Sequence, residues 1–358
     1  MNQNQPFYRV ERLPVLQNRT FRSVDEARNC ATGDVLLAQD PLTGLISNQA
    51  FRPELMKYDA DYHNEQALSS VFRTHLERVC EIVQDNFAGL SLIEVGCGKG
   101  YFLEKLQGRG FEIAGADPAY EGSNPAILKE YFSAAVGMTG DGIILRHVLE
   151  HIPDPVSFLG AILHANGGRG KIYIEVPCFD WICQQRAWFD IFYEHVNYFR
   201  LADFYRIFGN VYSAGNIFNG QYLYVVADLA SLRTPVRPAA DLFTFPDDFL
   251  STIDQHAARL SSGQVPLSVI WGAASKGVIF SLFMERAGVR IGAVIDINPA
   301  KQGRFLPVTG LRVQSPEDAV STLPPDTEIL VMNGNYLEEV KLQTNGNYNY
   351  TRIDHDSV

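Results

Sequence analysis

Residues 91–100, Ser-Leu-Ile-Glu-Val-Gly-Cys-Gly-Lys-Gly, form an apolar run that stops at a glycine cluster, and Tyr101-Phe-Leu-Glu-Lys-Leu follows with helical spacing. A strand feeding a helix through so tight a turn needs glycine, because Gly96 and Gly98 let the backbone turn sharply and approach a ligand that a side chain would displace. The stretch therefore reads as a nucleotide pocket. A dinucleotide fingerprint, G-x-G-x-x-G, would place its third glycine at position 101, but that residue is Tyr101 and the glycine falls at Gly100. A second apolar run, Phe111 to Ala116, ends in Asp117, about 20 residues past the turn, where a carboxylate can accept hydrogen bonds from both ribose hydroxyls.

Working outward, the chain has 358 residues, 46% of them hydrophobic, which is too long for one core and points to two or three domains. No apolar run approaches the roughly 20 residues that span a bilayer. The opening Met1-Asn-Gln-Asn-Gln-Pro6 has neither a basic leader nor an apolar core, so no signal peptide is expected and a cytoplasmic location is. Cysteines stand at 30, 80, 97, 178 and 183 without a C-x-x-C pair, which reads as reduced thiols. A formal charge of -11 argues against nucleic acid, so any phosphate on a substrate needs a local basic site.

Four regions follow. Residues 1–79 carry turn clusters, short apolar runs and Tyr58-Asp-Ala-Asp-Tyr-His-Asn-Glu-Gln66, and read as an amino-terminal cap or lid rather than core. Residues 80–232 alternate strand and helix, with strands at 91–95, 111–116, 142–145 and 171–176, and close with an antiparallel pair, 210–217 and 222–228, joined through Asn219-Gly220. That pattern predicts an α/β, doubly wound, Rossmann-like parallel sheet with a terminal antiparallel strand. Thr234-Pro-Val-Arg-Pro-Ala-Ala breaks the alternation, and 233–263 reads as a helical linker. Residues 264–358 restart it as a second, smaller α/β domain through Leu267-Ser-Val-Ile-Trp-Gly272-Ala-Ala-Ser275-Lys276-Gly277, with a further strand ending in Asp296.

The E-x-G-x-G-x-G arrangement of Glu94, Gly96, Gly98 and Gly100 resembles motif I of class I S-adenosylmethionine (AdoMet) methyltransferases. Four segments extend the likeness to the sugar C-methyltransferases of deoxysugar biosynthesis, the group of the mycarose and tetronitrose enzymes. They are Tyr58 to Gln66; Glu94 to Gly100; Ile174-Glu-Val-Pro177 with Phe189-Asp-Ile-Phe-Tyr193-Glu194-His195-Val-Asn197-Tyr-Phe199; and Ile270 to Gly277 with Val294-Ile-Asp-Ile-Asn-Pro299. The resemblance implies AdoMet as cofactor, held by Glu94, Gly96, Gly98, Gly100 and Asp117, with Arg146 and His147 lining the methionine end and Gln66 placed with them. It implies His195 as the base, supported by Glu194, with Tyr193 and Asn197 on the substrate side. Members usually open with a zinc module of paired cysteines, whereas residues 1–79 hold only Cys30, and no metal is expected. The family's His-Glu-His triplet stands here as Tyr193-Glu194-His195.

The chemistry fits a carbon acceptor. AdoMet brings an activated methyl, so the protein must position the acceptor, remove a proton and exclude water. A 4-keto-6-deoxy sugar acidifies its C3 hydrogen, and a base titrating near neutrality suits the resulting enolate. Tyr58 and Tyr62 can donate to the enolate oxygen, or simply pack under a lid. Lys276, with Gly272 and Ser275 at a helix start, suits the pyrophosphate of a dTDP-, GDP- or CDP-sugar, the alternative being a structural turn. Asp296 is either a ribose contact or a turn-former. His147 and His151 lie four apart, but the sequence offers no third ligand and packing is preferred to metal. The expected partner is a nucleotide-linked sugar, on a monomer or homodimer. O- or N-methylation of a small metabolite and a non-catalytic nucleotide-sugar binder are the rivals; NAD chemistry fails on glycine spacing.

Overall fold

The computed structural model describes residues 5–59, 61–241, 243–262 and 267–354. The expected domain boundary at 263/264 lies outside these, as do the first four and last four positions.

Short alternating runs near the amino terminus pair as strands β1 (Tyr8–Pro14), β2 (Thr32–Gln39) and β3 (Ile46–Asn48). The central half contributes β4 (Leu92–Val95), β5 (Ile113–Ala116), β6 (Ile127–Leu128), β7 (Gly142–Arg146) and β8 (Lys171–Pro177). After β9 (Asn197–Tyr198) come β10 (Val211–Ile217) and β11 (Tyr222–Asp228). The carboxyl-terminal unit holds β12 (Ser268–Trp271), β13 (Ala293–Ile295), β14 (Val313–Gln314), β15 (Glu328–Val331) and β16 (Asn349–Arg352).

The central sheet runs β10-β11-β8-β7-β4-β5-β6. Its β4, β5, β6, β7 and β8 are mutually parallel, and β11 is antiparallel to both β8 and β10. This is the expected doubly wound sheet, with the reversed strand last in the chain but one place in from the edge. All four residues of β4 are buried, as a strand covered on both faces requires. One face is closed by the helix Ser70–Phe87, whose buried Phe72, Leu76, Val79, Val83 and Phe87 recur at helical spacing, and whose N-cap hydroxyl, Ser69, accepts from the Val71 and Phe72 N–H groups. The boundary expected between 79 and 80 falls inside this helix, which packs as one piece on the sheet.

Residues 1–79 are more than a cap. β1, β2 and β3 continue onto β9 in a four-stranded antiparallel sheet, and Leu13, Val35, Leu37 and Ile46 join the main hydrophobic core. The pairing of Ile46 with Tyr198 and Ser47 with Asn197 ties that sheet to the chain immediately after His195. The carboxyl-terminal sheet, β14-β13-β12-β15-β16, is wholly parallel. Its helix Ser275–Arg286 docks on the central half through Phe280 stacked on Trp188, ring centroids 5.5 Å apart.

Candidate active site

The glycine turn sits at the carboxyl ends of β4 and β5, where open α/β sheets bind ligands. Asp117 closes it: one carboxylate oxygen accepts the Gly98 N–H at 2.7 Å and the other the Ala119 N–H at 2.8 Å. Four lone-pair sites serve these two donors, so the carboxylate retains capacity for ribose hydroxyls. At Gly98, φ +56°, a Cβ would meet nothing within 4 Å and would project into open space. Gly96 and Gly100 have a different role from the one expected, since a Cβ there would strike Val148 and Ile127, both at 2.5 Å. They are needed for packing, and Gly98 alone leaves room for a ligand.

Behind the turn lies a buried charge cluster. Glu175 on β8 is fully buried and meets His75 at 2.7 Å, Arg146 at 2.8 Å, the Tyr173 hydroxyl at 3.2 Å and His147 at 3.3 Å. Burial opposes its charge, but Arg146 and the two histidines hold its carboxyl well below the usual range. His147 stands between Glu150 and Glu175; burial disfavours its charge, yet the two carboxylates push it up to about 9. Arg146 stacks on Phe102 at 4.5 Å and is absorbed by Glu175, so it braces the floor of the pocket. Glu94 is buried with one oxygen unpartnered among the described residues, and desolvation, aided by Asp117 and Glu175 against Arg146, raises it to about 8. A buried carboxyl with an unpartnered oxygen fits the ammonium or sulfonium of AdoMet, as the open space at Gly98 fits close approach of the ligand.

The residues expected on the acceptor side lie where three regions meet. The Glu194 carboxylate takes the Gln17 N–H at 2.7 Å and the Tyr62 hydroxyl at 2.8 Å, and its carbonyl faces His151 Nδ1 at 2.9 Å. Its expected support of His195 is thus indirect: the carboxylate clamps the amino-terminal arm and the tyrosine segment. Tyr58 packs edge-on to Tyr62, centroids 4.9 Å apart, and is half exposed. His195 is buried against Phe192, at 4.0 Å between rings, and lies 5.0 Å from His151; its imidazole makes no hydrogen bond among the described residues. Burial, with the fields of His151 and His147, holds it well below the ordinary histidine range and not near neutrality as expected of the base.

Other expectations are corrected. Tyr193 is fully buried, with Gly33 against its ring and its hydroxyl accepting the Arg52 N–H at 2.8 Å, so it anchors the amino-terminal sheet instead of touching substrate. Asn197 donates to the Ile152 carbonyl at 2.6 Å and pins the 149–152 turn. Lys276 does not present a free cation: it pairs with Asp190 at 3.1 Å, donates to Gln221 at 3.1 Å and lies over Trp181. Asp296 accepts the Ala273 and Asn298 N–H groups at 2.8 and 2.7 Å, the turn-forming alternative, and so repeats at Gly272 the device by which Asp117 pins the first turn. Ser275 accepts from Asn18 at 3.3 Å. Gln66 opens a short turn ahead of the helix Ser70–Phe87; it is Glu65 beside it that bridges Lys99 of the glycine turn and Asn298 of the second unit.

The sequence reading passed over several groups. Lys301 is buried beside the second glycine turn, donating to Asn18 and the Ala273 carbonyl at 3.1 and 3.0 Å. Glu150 is not singled out by that reading, which weighs His151 only with His147; the fold brings both to His195. All five cysteines are free thiols. A cavity of about 610 Å³ beside Cys178, Trp181, Arg186 and Arg200 shares no lining with the glycine turn. No helix among the described residues is long and apolar enough to cross a membrane.

Residues 63–211 match the family model of a methyltransferase domain. The chain carries a methyltransferase domain. Its cofactor is S-adenosylmethionine, and the glycine turn and Asp117 lie within the matched residues. Among curated relatives, the C-methyltransferase NovU of Streptomyces niveus is 24% identical over 309 residues, covering 74% of this chain and 72% of that protein. A ubiquinone biosynthesis O-methyltransferase of Ruegeria pomeroyi is 33% identical over 90 residues, 21% of this chain and 36% of the relative. Solved structures overlap less. PH0226 from Pyrococcus horikoshii OT3 gives a TM-score of 0.36 at 13% identity, covering 48% of this chain and 99% of its own. The 1,6-didemethyltoxoflavin-N1-methyltransferase of Burkholderia thailandensis gives 0.33 at 12%, covering 51% and 95%.

Proposed function

We propose that the protein is an AdoMet-dependent C-methyltransferase acting on a nucleotide-linked 4-keto-6-deoxy sugar, at C3, with His195 as the base. The observation that carries this reading is the His195 imidazole: buried and free of hydrogen bonds among the described residues, and next in the chain to Glu194, whose carboxylate takes the Tyr62 hydroxyl. Carbon accepts a methyl cation equivalent only as a carbanion, so a C-methyltransferase needs a proton acceptor in a dry site, whereas bound AdoMet supplies the methyl itself. Tyr62, whose hydroxyl donates to Glu194 in the free protein, is the donor this reading assigns to the enolate oxygen. The likeness to a C-methyltransferase over 74% of the chain supports the same reading.

Support for the sugar nucleotide is the second α/β unit, whose glycine turn faces the amino-terminal arm through Asn18, Ser275 and Lys301. Lys301, and not Lys276, is the amine placed at that turn. The match to a ubiquinone O-methyltransferase favours a second reading, methylation of oxygen. One experiment separates them. A panel of 4-keto-6-deoxy nucleotide sugars is incubated with AdoMet carrying a 13C methyl, and the product is read by NMR. A new methyl on carbon is expected; a methyl on oxygen or nitrogen overturns the proposal.

A further inference from the structure

The turn after β7 and the segment before β9 bring three potential ligands together: a carboxylate oxygen of Glu150 and a ring nitrogen each of His151 and His195, all within 4.8 Å of one another. Two details orient them. The Nδ1 of His151 lies 2.9 Å from the Glu194 carbonyl, which can only accept, so that nitrogen carries the proton and Nε2 presents its lone pair. This is how proteins set a metal-ligating histidine, with the far ring nitrogen donating to a carbonyl. Glu150 is 1% exposed, and its Oε2 has no hydrogen-bond partner among the described residues, a costly arrangement unless something else satisfies it.

From this juxtaposition we infer that Glu150, His151 and His195 form a site for a divalent transition-metal ion of the zinc class, and that the ion reversibly inhibits methyl transfer by occupying the nitrogen that would accept the proton. Two imidazoles and one carboxylate are ligands that zinc and its neighbours take readily, leaving a fourth position for water. Tetrahedral donors about 2 Å from zinc stand roughly 3.4 Å apart, so the three groups must close by about an ångström, within reach of side-chain rotation. The inhibitory consequence rests on His195 being the base; the binding does not. The contacts expected for AdoMet at Gly98 and Asp117 follow other strands, β4 and β5, and are spared.

The test uses the full chain, untagged and stripped with chelator, titrated with Co2+ followed by visible absorption. Uptake of one Co2+ per chain, displaced by Zn2+ and weakened at least about 10-fold in Glu150→Gln and in His151→Asn, each checked for native circular dichroism, is expected. No stoichiometric uptake, or uptake unchanged in both variants, overturns the site. In turnover assays Zn2+ should stop methyl transfer and EDTA restore it, while calorimetric AdoMet affinity stays the same. Full turnover with Zn2+ bound would overturn the inhibition. A methyl found on a heteroatom defeats the carbon-methylation reading alone, because Co2+ uptake is measured without any acceptor.

Discussion

The His151 imidazole donates from Nδ1 to the main-chain carbonyl of Glu194, 2.9 Å away. Through that one residue the turn after β7 is coupled to two other regions, because the Glu194 side chain holds the Gln17 N–H and the Tyr62 hydroxyl. The site is therefore assembled from segments more than a hundred residues apart, and its geometry depends on contacts that are individually small.

Tyr62 tests that coupling. Tyr62→Phe keeps the ring and its packing on Tyr58 but removes the donor to a buried carboxylate, a loss of about 1–3 kcal/mol. The expected outcome is a raised KM and lowered kcat for the acceptor with calorimetric AdoMet affinity unchanged. Equal losses for both ligands would mean that the segment supports the whole fold.

Glu94 makes cofactor binding depend on pH. With its carboxyl at about 8 in the free protein, it is mostly protonated at neutral pH, and docking of a cation favours the carboxylate. Binding then releases a proton, so affinity climbs with pH by up to about tenfold per unit below 8. Above about 8 the cofactor's own α-amino group loses its charge and affinity falls. Isothermal titration from pH 6 to 9 should show this maximum, and Glu94→Gln should lose the rising limb.

Lys276 and Asp190 form a largely buried pair, so removing one partner strands the other. Burial already pushes the Asp190 carboxyl up, with Lys276 opposing. Lys276→Ala should cost on the order of 3 kcal/mol in denaturant unfolding, and Lys276→Ala with Asp190→Ala should recover part of it. If Lys276 meets pyrophosphate instead, stability will hardly change and the KM for a nucleotide sugar will rise.

How much of this was readable beforehand follows from the range of each interaction. The strand, glycine turn and Asp117 are local: spacing alone places a carboxylate beside the glycine turn, though it does not foresee the bond to the Gly98 N–H, and the central sheet is parallel with its last strand in the chain reversed, as expected. Residues 1–79 looked like a lid because their strands are short and find their fourth partner, β9, about 150 residues later. Tyr193 and Asn197 stand two residues either side of His195, which in an extended segment would put all three on one face, but the chain turns at Tyr193-Glu194, and these two serve the amino-terminal sheet and the 149–152 turn. Lys276 has a basic residue's signature at a helix start, and nothing in its neighbourhood announces Asp190 from another region.

Asp117 carries the cofactor claim, and its double use shapes the expected result. Asp117→Ala removes both the ribose acceptor and the bond that holds the Gly98 N–H, so AdoMet affinity should fall by about 1–3 kcal/mol. Asp117→Asn keeps an acceptor oxygen and should lose less. Unchanged calorimetric affinity in a folded Asp117→Ala protein would remove the pocket assignment.

His195 separates chemistry from binding. If it removes the C3 proton, enzyme and a 4-keto sugar nucleotide in heavy water should exchange that hydrogen for deuterium, since the proton taken up by the ring is replaced from solvent before it returns. His195→Asn keeps a polar group of similar size but no basic nitrogen, so exchange and methyl transfer should both vanish. AdoMet affinity should stay as it was, because the base acts on the acceptor and lies apart from the Asp117–Gly98 contact that closes the cofactor turn. His151→Asn should keep measurable exchange while slowing transfer, because its ring orients the Glu194 carbonyl and does not take the proton itself. Exchange that survives in His195→Asn and disappears in His151→Asn would move the base to the neighbouring ring, 5.0 Å away.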